Sequence, residues 1–237
     1  GRGRGRALAT PPAPCPAAQP SQGSAEPPLH PVTPPPAPRS ASRSFSHFVN
    51  NDLVSFAHAN LARSVPSLID GLKPGQRKVL HACLLRKLHG RAEMKVAQLA
   101  GHVAEVTQYH HGEQALIDTI VKMAQDFVGA NNLPLLEPLG QFGTRGLGGG
   151  DAASARYLYT RLSPLTARIF SAEDSAVLDY RTEDGETVEP VHFAPLLPML
   201  LVNGSAGIGS GWSTQVWGHH PLHVLDNVLR ALDGSPM

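Results

Sequence analysis

Cysteine and long apolar runs are scarce in this sequence. Only Cys15 and Cys83 occur in 237 residues. At most one disulfide could form, and neither cysteine has a second ligand at the spacing of zinc sites, so we predict neither a disulfide scaffold nor a metal site. The longest apolar stretch, 193–202, contains two prolines and is well short of the roughly 20 residues that a membrane-spanning helix needs. We therefore expect no membrane span.

Charged residues are also few, at 16% of the sequence, and the two signs are segregated. Between residues 63 and 95 there are eight Lys/Arg and two acids, whereas 173–189 holds seven acids and one arginine. The net charge of +1 therefore hides a basic segment that is suited to meet an anion.

The first 43 residues are rich in proline and arginine and contain one acid, Glu26. Such a segment has too few large apolar side chains to offset the entropy lost on ordering, which predicts disorder. An organelle transit peptide and a linker are the alternatives. The remainder has a length suited to one domain or one and a half.

The spacing of apolar residues predicts several helices in the remainder. Phe45, Phe48 and Phe56 share one helical face, which predicts a packed helix, and Pro74 suits the first position of the next one. Two further helices, 95–106 and 113–127, form a helix-turn-helix. They precede a glycine-rich loop and a short strand predicted at 156–160, which is the winged-helix layout. A last helix is predicted over 221–232.

Two places in this layout could act on phosphate. The N-terminus of the second helix offers free N–H groups beside His110 and His111, although the histidines could instead cap the helix. Arg156 and Tyr157 follow the glycine-rich loop. A tyrosine phenol, with a pKa of about 10, needs a cation such as arginine to become a nucleophile. From the residues alone, a tyrosine packed on its own sheet is the favoured interpretation.

Five ordered blocks of the sequence resemble one family. They lie at 64–80 (SVPSLIDGLKPGQRKVL), 109–113 (YHHGE), 140–145 (GQFGTR), 155–157 (ARY) and 203–212 (NGSAGIGSGW). In this order they closely resemble type IIA DNA topoisomerases, and the two-histidine and QFGTR forms resemble the eukaryotic branch rather than bacterial gyrase. The resemblance covers residues 45–237.

The resemblance implies a site. Tyr157 would attack a DNA phosphodiester and hold the 5′ end as a phosphotyrosine while a second duplex passes, and Arg156 would stabilise the pentavalent phosphate. Ile208, between two glycines, would wedge into the duplex and bend it. The remaining DNA contacts that the resemblance implies are Lys73, Arg77, Lys78, His110, His111, Gln141 and Arg145. Trp212 is expected to be part of the core.

The resemblance also implies the domain plan and the partners. The expected fold is α+β and mainly α, with a winged-helix breakage-reunion domain over 44–170 and the start of a tower-like domain over 171–237. The expected protein is an ATP-dependent homodimer in the nucleus or an organelle. It would act on duplex DNA, relaxing supercoils and decatenating, and would bind Mg²⁺ and ATP in domains absent from this chain.

Departures from the family pattern leave an alternative open. Gly150 replaces a lysine that is common beside the active loop, and Ala155 replaces a proline. These changes put one phosphate contact in doubt. The larger departure is upstream, where the family carries an ATPase module and an acidic metal-binding domain and this chain has its proline- and arginine-rich segment. Without those acids the chain alone is expected to cleave poorly, and the alternative is a truncated DNA-binding remnant without catalysis. The strand-breaking machinery of meiotic recombination also uses a winged-helix tyrosine, but the GQFGTR and GIGSGW blocks do not belong to it.

The N-terminal prediction can be tested by truncation. Deleting residues 1–43 should leave the melting temperature unchanged, because a segment without a core contributes little to stability. Calorimetry of the full and truncated chains measures this, and a drop of several degrees would show that the segment packs.

Overall fold

The computed structural model describes residues 42–236, which form one compact unit from Arg43 onward. The predicted disordered segment lies outside the described residues, apart from its last two. The helices are α1 (Phe45–His47), continued by a π-helical turn (Phe48–Leu53), α2 (Val54–Ser64), α3 (Pro74–Leu85), α4 (Val96–Val106), α5 (Glu113–Ala124), α6 (Thr166–Ile169), α7 (Met199–Asn203) and α8 (Pro221–Leu232). The strands are β1 (Met94–Lys95), β2 (Leu136–Leu139), β3 (Tyr159–Leu162), β4 (Tyr180–Glu183), β5 (Glu186–Pro190), β6 (Ser205–Ile208) and β7 (Ser213–Val216).

The helix-turn-helix prediction is confirmed, and its core lies where α3, α4 and α5 meet. Leu80, Leu99 and Ile120 come from the three helices, and each is fully buried. Burying one such side chain stabilises the fold by about 1.5–3 kcal/mol. Helix α5 ends at Ala124 rather than at the predicted Phe127, because Gln125 has an extended backbone with ψ 127°.

The wing is a three-stranded antiparallel sheet in the order β1-β3-β2. Met94 pairs with Thr160 on one side of β3, and Leu136 pairs with Leu162 on the other. Strand β3 begins at Tyr159, so the predicted strand over 156–160 begins too early. The reason is a turn, in which the N–H of Tyr157 donates to the Ser154 carbonyl at 2.9 Å.

Two antiparallel hairpins complete the fold, β4–β5 and β6–β7. In the first, Glu183 pairs with Glu186 across a two-residue turn of Asp184 and Gly185. Both turn residues have positive φ, at 50° and 83°, as a type I′ turn requires. This turn fixes where the acidic end of the hairpin lies.

Buried charges join α3 to the chain beyond residue 170. Asp70 is fully buried and accepts from Arg77 through both oxygens, at 2.7 and 3.0 Å, and from the N–H of Phe193 at 3.0 Å. Arg77 also donates to the Leu72 carbonyl at 3.0 Å and is only 4% exposed. Its guanidinium is enclosed and bonded internally, which argues against a contact with the DNA backbone, and that contact stays a prediction.

Lys78 is also held from within. Its Nζ donates to the Thr107 carbonyl at 2.6 Å and to the buried Glu189 at 2.9 Å, with Glu183 at 3.3 Å. Lys78 is therefore not free, because three acceptors of this chain surround its ammonium group. A phosphate contact by Lys78 stays a prediction.

The first helical segment differs from expectation. Phe45 is 82% exposed and Phe56 is 58% exposed, and Phe48 is exposed as well. The apolar residues lie on a helix as predicted, but no element within residues 42–236 covers this face, so the expected packing is not found.

The remaining fold predictions have mixed outcomes. The last helix, α8, has its predicted bounds. Contacts continue across the proposed domain boundary at 170, where Asp70 binds Phe193 and Asn132 donates to the Val202 carbonyl, and that boundary stays a prediction. No helix among residues 42–236 has both the length and the apolar character for crossing a membrane.

Removal of Arg77 tests the buried pair. Arg77→Met should lower the free energy of unfolding by about 3–5 kcal/mol, because it leaves the Asp70 carboxylate buried without its counter-charge. Arg43→Met is the matched control, since its pair with Asp52 is solvent-exposed and should contribute about 1 kcal/mol or less. Urea unfolding measures both, and equal losses would contradict the structural role of Arg77.

Candidate nucleic-acid interface

A basic pocket of about 740 Å³ lies between α2, α3, α5 and the β4–β5 hairpin. It brings together Lys73, Lys78, His110 and His111, which the resemblance had placed on DNA. Four of the predicted contacts, two at the start of α3 and two just before α5, thus share one cavity. We call this cavity the basic pocket.

Lys122 and Arg181 also line the basic pocket and were missed from the sequence. The signal for Lys122 was available: Ala115, Thr119 and Lys122 recur at four and three residues, so they share one face of α5. No sequence signal placed Arg181 there, because its position depends on the packing of the β4–β5 hairpin.

Lys73 connects the basic pocket to the β6–β7 hairpin. Its backbone N–H donates to the side chain of Gln76 at 2.9 Å at the start of α3, and its Nζ donates to the Ala206 carbonyl at 2.7 Å. Partial burial, together with the charge of Lys122, lowers the pKa of Lys73. An incoming anion would relieve the repulsion between these two lysines.

The N-terminus of α5 opens beside the basic pocket. Gly112 precedes the helix, and no side chain caps it, so the interpretation of His110 and His111 as capping residues is not supported. The His111 ring packs edge-on against Tyr109 with centroids 5.4 Å apart. Burial raises the pKa of Tyr109. The free N–H groups of α5 therefore remain available to an anion.

Tyr157 lies on the turn before β3 and is 65% exposed. This excludes the packed wing tyrosine, which was the favoured interpretation from the residues alone. The Arg156 guanidinium lies over the phenol ring, 4.9 Å from its centroid. The ring is therefore accessible to a large substrate while a cation stays next to it.

The turn that carries Tyr157 also caps α4. The Leu158 carbonyl accepts from the N–H of Val96 at 2.9 Å, and the Ala155 carbonyl accepts from that of Ala97 at 3.3 Å. These N–H groups belong to the first turn of α4 and would otherwise lack partners. Tyr157 is thus fixed to the helix-turn-helix by backbone hydrogen bonds on both sides.

The glycine-rich loop presents Gln141 and Arg145, and both are exposed. Asp151 closes the loop by accepting from the Thr144 N–H at 2.8 Å and from its hydroxyl at 2.9 Å. Gln125 supports the base of the loop by donating to the Phe142 carbonyl at 2.8 Å. The loop borders a cleft of about 610 Å³ along α5 that Arg156 also lines.

Ile208 is 84% exposed near the tip of the β6–β7 hairpin. Its glycine neighbours have a structural reason that the sequence interpretation missed. A Cβ on Gly207 would lie 2.3 Å from the Ser64 carbonyl oxygen, and one on Gly209 would lie 2.7 Å from a Leu61 methyl group. The glycines therefore let the hairpin backbone pack against the end of α2, which leaves Ile208 projecting.

Trp212 lies between β6 and β7 in the same hairpin. It is 71% exposed, so the expectation that it belongs to the core is wrong.

No group of three or more histidine, cysteine or acidic side chains within residues 42–236 is arranged to hold a metal ion. The side chains of this range therefore do not fit a Mg²⁺ ion.

The sequence matches a known protein family. Residues 63–237 match the family model of the DNA gyrase/topoisomerase IV A subunit. The chain belongs to this family. The match confirms the predicted resemblance to type IIA DNA topoisomerases.

Among similar proteins, DNA topoisomerase 2 of Arabidopsis thaliana is 52% identical over 193 residues, which is 81% of this chain and 13% of that protein. DNA topoisomerase 2 top-2 of Caenorhabditis elegans is 53% identical over 81% of this chain and 12% of its own length. The mitochondrial DNA topoisomerase 2 of Dictyostelium discoideum is 52% identical over 81% of this chain and 15% of its length. The chain thus spans 12–15% of these relatives.

A solved structure resembles the fold as well. It is the topoisomerase II DNA-binding, cleavage and re-ligation domain of Plasmodium falciparum, with 46% identity and a TM-score of 0.76. The match covers 80% of this chain and 26% of that one. It confirms the predicted fold class.

The Thr144–Asp151 contact predicts that the closure of the glycine-rich loop depends on pH. Hydrogen bonds from Thr144, chiefly from its backbone N–H, lower the pKa of Asp151. The stabilising contact is therefore present at neutral pH and is lost as the pH falls through the folded-state pKa. The amide resonance of Thr144 should shift in that acidic range, below the ordinary pKa of an aspartate.

A substitution tests the same contact at neutral pH. Asp151→Asn should speed amide hydrogen exchange across residues 144–151 because it removes the charge and one of the two acceptor oxygens. Asp118→Asn is the control, as it removes the same charge from the α5 side of the adjoining cleft. Equal exchange in the two variants would show that Asp151 does not hold the loop.

Proposed function

We propose that this chain is the DNA-cleaving part of a type II topoisomerase, in which Tyr157 forms a covalent link to a DNA strand. The observation that carries the proposal is an exposed tyrosine beneath an arginine guanidinium, on a turn fixed to the helix-turn-helix. The family match and the names of the similar proteins support the same chemistry.

The proposed step is a transesterification. The Tyr157 oxygen attacks the phosphorus of a phosphodiester, a bond forms between them, and the bond from phosphorus to the 3′ oxygen breaks. The phenol proton is released and the 3′ oxygen takes up a proton. One phosphodiester replaces another, so the step reverses without an energy source. Arg156 would stabilise the charge that collects on the pentavalent phosphate.

The basic pocket would hold the DNA backbone near this step. Lys73, Lys122 and Arg181 supply positive charge, and His110 and His111 stand at the open N-terminus of α5. Gln141 and Arg145 would follow the backbone from the loop, and Ile208 would bend the duplex. Because phosphate contacts dominate, we expect little sequence preference and a strong dependence on salt.

The proposed activity extends beyond the described residues. We propose that it acts as a homodimer that passes a second duplex through the break, and that ATP and Mg²⁺ bind to parts of the protein outside the described residues. The cellular site is proposed to be the nucleus, with an organelle as the alternative, since one similar protein is named mitochondrial.

Covalent trapping tests the nucleophile. Labelled duplex DNA is incubated with the chain, magnesium and the metal-binding region of a similar topoisomerase 2, and the mixture is then denatured. We expect label on the protein, and Tyr157→Phe should abolish it because the attacking oxygen is gone. Tyr159→Phe is the matched control, since it removes the same hydroxyl two residues away.

The outcomes separate the candidate functions. Label that persists in Tyr157→Phe would show that another residue is the nucleophile. No label from any variant, with duplex binding intact in a filter assay, would favour the non-catalytic DNA-binding remnant. Gly150, in place of the lysine common in the family, removes one phosphate contact beside the proposed nucleophile.

A further inference from the structure

An acidic residue of this chain occupies part of the basic pocket. Glu183, at the end of β4, lines the pocket, and its side chain is 32% exposed. One of its oxygens lies 3.3 Å from the Lys78 ammonium, and the other lies 3.5 Å from Nε2 of His110. Asp184 places a carboxylate oxygen 3.9 Å from the same ring nitrogen. Glu183 therefore bridges two of the residues proposed to bind DNA.

A carboxylate in this position resembles a phosphate. Both groups are anions that offer two acceptor oxygens to the same donors, and charge-assisted hydrogen bonds to either are strong. A DNA phosphate and the Glu183 carboxylate cannot both occupy the space between Lys78 and His110. Binding of one therefore requires the other to leave.

The β4–β5 hairpin allows Glu183 to move away while the buried part of β5 stays in place. Glu189 on β5 is fully buried and accepts from the Lys78 ammonium at 2.9 Å. Val188 and Pro190 on the same strand are buried too. The tip, by contrast, is a short type I′ turn with exposed residues. Loss of the Glu183 contact would thus leave Lys78 paired and the strands anchored.

We propose that Glu183 is an internal phosphate mimic that competes with duplex DNA for Lys78 and His110. This inference rests on the proposed function, because a competitor matters only if the basic pocket binds DNA. A single phosphate gains too little from two contacts to displace a tethered carboxylate. A duplex contacts several basic side chains of the pocket at once, and these contacts offset the loss of the Glu183 contacts. Glu183 therefore sets a threshold that favours long polyanions.

Glu183→Gln tests the competition, with Glu186→Gln as the matched control. Glu186 lies opposite Glu183 across the hairpin, is exposed, and makes no ion pair within residues 42–236. Both variants raise the net charge by one at nearly the same place. A difference between them therefore reports the contact with Lys78 and His110 rather than the overall charge.

Fluorescence anisotropy of a short labelled duplex at several salt concentrations measures the binding. We expect Glu183→Gln to bind about threefold to fivefold more tightly than the parent chain. Its salt dependence should stay close to that of the parent chain, because the duplex makes the same phosphate contacts once Glu183 has left. Glu186→Gln should raise the affinity much less. Asp184→Asn, which loses a longer contact, should fall between them.

Equal gains in Glu183→Gln and Glu186→Gln would overturn the inference while leaving the proposed function intact. Failure of the proposed function would give a different result. Either no variant binds the duplex at low salt, or Lys122→Ala leaves the affinity for the duplex unchanged. The competition would then be overturned as well. If Glu183→Gln melts earlier than the control, Asp184→Asn carries the same comparison, since asparagine tolerates the positive φ of this turn.

Discussion

The buried carboxylate of Asp70 is the contact on which the arrangement of this protein depends. It accepts two bonds from Arg77 of α3, one from the N–H of Leu72 and one from the N–H of Phe193. Its charge has no access to water, so each bond is needed to offset its desolvation. The loop before α3, the helix itself and the segment after β5 are thereby held together, and the β4–β5 hairpin is carried to the edge of the basic pocket.

Tyr157 and Ile208, the proposed nucleophile and the proposed wedge, are held in place by backbone contacts rather than by their own side chains. The Tyr157 turn caps the first N–H groups of α4, and the Ile208 hairpin packs closely on α2 through Gly207. Both side chains therefore remain exposed although their backbones are fixed. A substrate as large as a duplex needs this combination of accessible groups and a rigid base.

Much of the layout could be predicted from the sequence. The helix-turn-helix followed from apolar spacing, and the winged arrangement followed from the glycine-rich loop after α5. Which charged side chains are buried could not be predicted from the sequence. Arg77 and Lys78 are consecutive bases in a basic segment, and the sequence favoured both as DNA contacts. The sequence did not show that Arg77 is enclosed in a buried pair and that Lys78 is already bonded, because Asp70 and Glu189 reach α3 only after folding.

The sequence by itself determined the helices, the glycine positions and the tyrosine next to an arginine, since these depend on local spacing and on residue type. Only the tertiary structure decided which basic side chains line the basic pocket and which are paired within the protein. The reason is that a charged group is available to a partner only when no closer counter-charge of the same chain binds it. The same applies to Glu183. Its hairpin was recognisable only as an acidic stretch, and its contact with Lys78 and His110 exists because the fold brings segments more than 70 residues apart into one cavity.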